Sequence, residues 1–81
     1  MDIIKEVVEH HPDGYVWKVY TTVNGIKEGI EKTYGPGDRL SIVAQYKNGL
    51  ATEADIWLPD GTYGAKALYI EGMLAKYNTF F

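Results

Sequence analysis

The sequence has no cysteine among its 81 residues, which excludes disulfide staples, thiol nucleophiles, cysteine-rich zinc sites and iron-sulfur clusters. Serine occurs once, as Ser41, with no histidine close to it in the chain, so a serine hydrolase triad has little to build on. No stretch approaches the roughly 20 apolar residues of a membrane-spanning helix. The opening Met1-Asp2-Ile3-Ile4-Lys5-Glu6 lacks the basic start and apolar run of a secretory signal. These absences predict a soluble, cytoplasmic protein with no membrane partner. A strong excess of either charge is missing too: eight basic against eleven acidic residues give a net charge of −3. Without a basic stripe no nucleic-acid partner is expected, and the acidity is too slight to imitate a row of phosphates. At 9.1 kDa the chain has room for one thin core, so residues 1–81 are expected to form a single small domain.

What the sequence does have is regular punctuation. Glycine recurs at positions 25, 37, 49 and 61, twelve residues apart, and again at Gly72. Asn24-Gly25, Pro36-Gly37, Asn48-Gly49 and Asp60-Gly61 are turn dipeptides that supply the positive φ of hairpins, and Glu71-Gly72 is a weaker version. Between them lie segments of strand length rich in Val, Ile, Tyr, Trp and Thr. The expected fold is α+β but mainly β: a short N-terminal helix followed by an antiparallel meander of up to six strands.

Register sharpens the expectation, because one face of such a sheet stays apolar from strand to strand. With two-residue loops at Asn24-Gly25 and Asp60-Gly61, three-residue loops ending at Gly49 and Gly72, and a five-residue loop from Gly35 to Arg39, three apolar rows emerge. They are Val19-Ile30-Ala44-Thr52-Tyr69-Met73, Trp17-Lys32-Ile42-Ala54-Ala67-Ala75 and Tyr15-Tyr34-Leu40-Ile56-Ala65-Tyr77. The opposite face then pairs Lys18 with Glu31, Asp55 with Lys66 and Arg39 with Trp57. Ahead of the meander, Ile3, Ile4, Val7 and Val8 recur at helical spacing with Asp2 as N-cap, ending at Pro12-Asp13-Gly14. The alternative is a four-stranded antiparallel sheet with N- and C-terminal helices, since Ala65, Leu68, Tyr69, Met73 and Tyr77 also fit a helical stripe. A helix over Ile26 to Tyr34, stopped by Gly35, is a further reading.

Each candidate for chemistry has a plainer reading. His10-His11 with Asp13 resembles metal ligands, yet adjacent histidines on a helix diverge and no third ligand is close, so the pair reads as a helix end. Glu53 and Asp55, two apart on one strand, resemble an acid-base pair, but Asp55 is expected to face Lys66 and both read as surface charge. Gly35-Pro36-Gly37-Asp38-Arg39 lacks the lysine and hydroxyl residue of a phosphate-binding loop and reads as a hairpin. No catalytic residue, cofactor or metal site emerges, and the chain is expected not to be an enzyme.

The rhythm from Tyr46-Lys47-Asn48-Gly49 through Asp60-Gly61-Thr62-Tyr63 to Glu71-Gly72 is similar to the hairpin ribbon of MORN-type repeats, over the last 36 residues at most. Its spacing near twelve is shorter than in those repeats and their internal glycines are missing, so the resemblance transfers no functional residue.

One short helix is too small to cover the apolar face, and uncovered apolar area is normally met by association. The expected function is therefore a small protein-binding module with an aromatic sheet surface. Such a module would regulate or inhibit a partner protein, as a phage-type inhibitor of a host or defence protein does, and would also form a homo-oligomer. Tyr20, Arg39, Val43, Trp57, Leu68 and Phe80 are its expected contact residues. The alternative is a small-ligand or glycan binder that stacks its ligand on Trp57 and the tyrosines.

Overall fold

The computed structural model describes residues 1–80, and within them the chain is all β. Eight strands form one antiparallel sheet: β1 (Ile4–His10), β2 (Val16–Val23), β3 (Ile26–Lys27), β4 (Gly29–Gly35), β5 (Arg39–Lys47), β6 (Leu50–Trp57), β7 (Tyr63–Ile70) and β8 (Met73–Thr79). Their order is β1-β2-β4-β5-β6-β7-β8, with β3 paired to β2. The antiparallel meander is present as expected, but the α+β class with its N-terminal helix is overturned. So is the four-stranded alternative with two helices.

The first segment fails as a helix because tertiary pairing outweighs a pattern that fits both structures. Ile4, Val7 and Val8 are β-branched, and all of β1 pairs with β2, from Ile4 opposite Val23 to His10 opposite Val16. Asp2, expected as an N-cap, instead accepts a hydrogen bond from the Asn24 side-chain amide at 3.1 Å, while the Asn24 carbonyl oxygen accepts from Ile3 N–H at 2.9 Å. The C-terminal stripe is broken by a tight turn at Glu71-Gly72, where φ is 53° and 79°. Both values are left-handed, the pairing a two-residue hairpin requires and a helix forbids. The reading of a helix over Ile26 to Tyr34 fails likewise, since β3 and β4 occupy that stretch.

The repeating unit is a pair of strands. Pro12, Pro36 and Pro59 stand at the turns on one end of the sheet, and Gly25, Gly49 and Gly72, each 13 residues later, stand at the other. Both His11 and Leu58, just before a proline, donate a backbone hydrogen bond four residues ahead, to Tyr15 and Thr62. The residues after the turn glycines are Ile26, Leu50 and Met73, all strongly exposed. Ile26 lies against Gly49 of the next unit and Leu50 against Gly72, so closely that a Cβ there would come within 3.1 and 3.0 Å of the branched side chain.

Bulges change the expected register. The turns at Asn48-Gly49 and Glu71-Gly72 are two residues long, and the extra residue sits inside the strand, where Gln45 opposes Glu53 but Tyr46 opposes Ala51. A comparable step between Thr33 and Tyr34, which face Ile42 and Leu40, leaves Ser41 over and puts Glu31 rather than Ile30 opposite Ala44. The expected Lys18–Glu31 pair is lost to a separate step, because the register against β2 moves on by two residues between β3 and β4: Lys27 opposes Thr22, but Lys18 opposes Thr33, and Glu31 holds Lys27. The Asp55–Lys66 pair is present.

The sheet is a single layer, 45 × 33 × 15 Å, and its substantial contacts join only strands that are neighbours within it. One face, here the alanine face, carries Ile42, Ala44, Ala54, Ile56, Ala65 and Ala67 in the central strands. Among the described residues the buried apolar ones are Ala44, Ala54, Ala65 and Ala67, and no large side chain is fully buried. The core is therefore half a core, a packed floor without a roof.

Candidate functional site

The opposite face gathers most of the residues singled out from sequence. Val43 stands opposite Asp55, Leu68 opposite Glu53, and Trp57 opposite Tyr63 across β6 and β7. The bulge between Ile56 and Trp57 makes the last pairing, because Gly64 is passed over and Tyr63 turns to the tryptophan side. A side chain at Gly64 has no room: its Cβ would fall 3.0 Å from Leu58 and 3.3 Å from the Ile56 carbonyl oxygen. Gly64 also accepts a hydrogen bond from Phe80 N–H at 2.9 Å, which ties the chain past β8 to this corner.

Three aromatic rings meet as a result. Trp57 packs edge-on to Tyr63 with centroids 5.4 Å apart, and Tyr63 packs at a tilt against Phe80 at 5.2 Å. Phe80 remains 59% exposed, so the cluster is open on its outer side. The Tyr63 hydroxyl donates to the Asp55 carboxylate, and that bond, with the neighbouring negative charge, holds the phenol above its ordinary range. Lys66 bridges the two carboxylates, 2.9 Å from Glu53 and 3.5 Å from Asp55, and its pKa is raised chiefly by the Glu53 hydrogen bond. Glu53 and Asp55 are thus already engaged as acceptors on an open surface, an arrangement suited to orienting rings rather than to moving protons.

Tyr20 and Arg39 lie elsewhere. The Tyr20 hydroxyl donates to Glu9 at 2.6 Å, and its ring lies 4.5 Å from the Lys27 ammonium, which also sits 5.0 Å from the ring of Tyr46. Lys27 pairs with Glu31 at 2.6 Å, and Glu31 is only 5% exposed. Burial pulls the Lys27 pKa down, but the hydrogen bond and charge of Glu31 outweigh it and the net shift is upward. Tyr46 is raised by burial and then by the Glu31 charge, and Tyr20 by its bond to Glu9. This group belongs to the alanine face. Arg39 does not lie beside Trp57 as expected; it pairs with Gly35, and its guanidinium fills the space a Gly35 side chain would need.

The histidines also differ from expectation, because no helix end exists for them to occupy. His11 stacks on Tyr15 at 4.7 Å, meets Trp17 edge-on at 5.9 Å, and its Nδ1 accepts a hydrogen bond from Asp13 N–H. Among the described residues no group of three or more acidic or histidine side chains is placed to hold a metal ion, and no helix is long and apolar enough to cross a membrane.

Sequence reasoning missed Tyr63 and the Lys27–Glu31 pair. Gly64 was the available signal for the first, since a strand-interior glycine marks a bulge; the second was masked by a spacing that looks helical. No family model, curated protein or solved structure matches this chain.

Proposed function

We propose that the protein is a non-enzymatic protein-binding module that holds a partner polypeptide on the Trp57–Tyr63–Phe80 cluster, with Leu68 and Val43 extending the patch. The observation that supports this is the convergence of three rings at one open corner, locked by the Tyr63–Asp55 and Phe80–Gly64 hydrogen bonds. Aromatic side chains held by their neighbours give large contact area at small entropic cost, which is why they dominate binding hot spots. Glu53 and Asp55 share Lys66, while Lys76 stands opposite Leu68 and Lys32 opposite Val43, so the patch carries no excess of acid and the matching partner surface is chiefly an apolar anchor. A module of this kind acts by occupying a surface, the mode of a small regulator or inhibitor.

The test is capture of a partner from native host extract by immobilised protein, beside Trp57→Ala and Phe80→Ala. A retained protein whose affinity falls about 10- to 100-fold with either variant is expected; equal retention by all three refutes the assignment. In a Trp17→Phe background, Trp57 fluorescence that responds to free sugars or nucleotides favours the small-ligand reading instead.

A further inference from the structure

The alanine face is the second open surface, and it resembles the inner face of a sandwich more than an outer wall. Globular domains place two packed layers around one core, whereas none of the described residues lies over this face. The exposed area is 5564 Å², against about 4,900 Å² for a compact monomer of this mass. The radius of gyration is 13.6 Å, against about 12 Å for a chain of this length. The excess of roughly 700 Å² is close to the ~800 Å² that each partner buries in a standard interface.

We infer that the alanine face is the interface of a two-fold dimer of this chain, two sheets packed face to face. Three observations favour a second copy as the occupant. An isologous contact needs projections and recesses on the same patch. Here Tyr77, half-exposed and opposite Ala67, projects from the same face two strands away from Ala54, which with Ala44 floors a hollow of about 410 Å³ flanked by Tyr46 and Tyr69. The acid at the floor of this face is also neutralised within the chain, since Glu31 holds Lys27, so two copies meet without a stranded charge there. Finally, the molecule's excess of surface over a compact monomer is of the size that one partner of a stable dimer buries.

This inference rests on the proposed binding role only in leaving the Trp57 corner free, and the two fail separately. Sedimentation equilibrium from about 1 to 200 μM is expected to show a species of twice the 9.1 kDa chain mass. Ala54→Arg places an unpaired charge on the floor of the hollow, and Tyr77→Asp removes a projection from the exposed strand β8, where the monomer tolerates it. Each is expected to weaken the dimer by about 100-fold or more, with circular dichroism verifying the sheet. Trp57→Ala is expected to leave the dimer unchanged. A wild-type monomer throughout that range overturns the inference. So does a dimer that survives both variants, or one that instead protects β8 backbone amides from exchange, which assigns association to the sheet edge. An Ala54→Arg monomer that still captures a partner leaves the Trp57 reading standing, and a dimer without capture does the reverse.

Discussion

Replacing Lys27 by methionine tests how the alanine face tolerates a buried acid. Glu31 is 5% exposed and its carboxylate rests on the Lys27 ammonium at 2.6 Å. Removing one member of a buried pair costs about 3–5 kcal/mol when both are fully enclosed. Lys27 keeps 32% of its side chain in solvent, so screening reduces that to about 2 kcal/mol. The ammonium also lies over Tyr20 and Tyr46, two contacts of about 0.5–1 kcal/mol each, part of which the methionine sulfur restores. The expected loss is about 2–3 kcal/mol, or a fall in Tm of roughly 10 °C or more for a chain of this size. Urea titration followed by far-ultraviolet circular dichroism, at one fixed protein concentration, measures it. Lys27→Met/Glu31→Gln recovers at least half of the deficit, because the stranded charge is gone. A single variant within about 0.5 kcal/mol of the parent, or a double variant weaker than the single one, refutes the reasoning.

Glycines in similar strands differ in cost. Gly64→Ala forces a methyl against Leu58 and the Ile56 carbonyl and is expected to lose about 1–3 kcal/mol, whereas Gly35→Ala meets only the movable end of Arg39 and stays within about 0.5 kcal/mol; parallel urea titrations compare them. Alkaline pH weakens the fold. Tyr20 and Tyr46 are raised above 10.0 and Lys27 above 10.5, so the folded state binds these protons more tightly. Their contribution is complete below about pH 10 and is lost as pH rises through the raised values. Tm measured from pH 8 to 11.5 is expected to be level and then to fall; a rise above pH 10 contradicts the placement of these groups.

The turns were the most legible part of the fold, because Asn-Gly and Pro-Asp-Gly pairs carry their own backbone conformation. From Glu53 to Ile56 the expected register against β7 agrees residue for residue, with Ala54 opposite Ala67 and Ile56 opposite Ala65, and it departs at Trp57, which opposes Tyr63. Elsewhere bulges intervene, and alternation alone cannot locate them: passing over Ser41 was enough to carry Tyr20 to the opposite face from Val43, Trp57 and Leu68. The N-terminal segment misled because Ile3, Ile4, Val7 and Val8 satisfy a helical stripe while their pairing with β2 decides the structure. Trp57 and Phe80 were identifiable as apolar residues without a place in the expected core. Their joint contact with Tyr63 depends on a skipped glycine and was not.

The seating of Ile26 on one unit's glycine and Leu50 on the next makes cohesion a nearest-neighbour property. Lengthening the ribbon therefore needs no redesign: duplicating residues 36–58, a whole strand pair, inserts a new interface of a kind already present, and stability grows by increments as in linear arrays. A one-residue deletion within a strand instead reverses which face the side chains beyond it in that strand occupy. Viable length changes should thus come in steps of one strand pair.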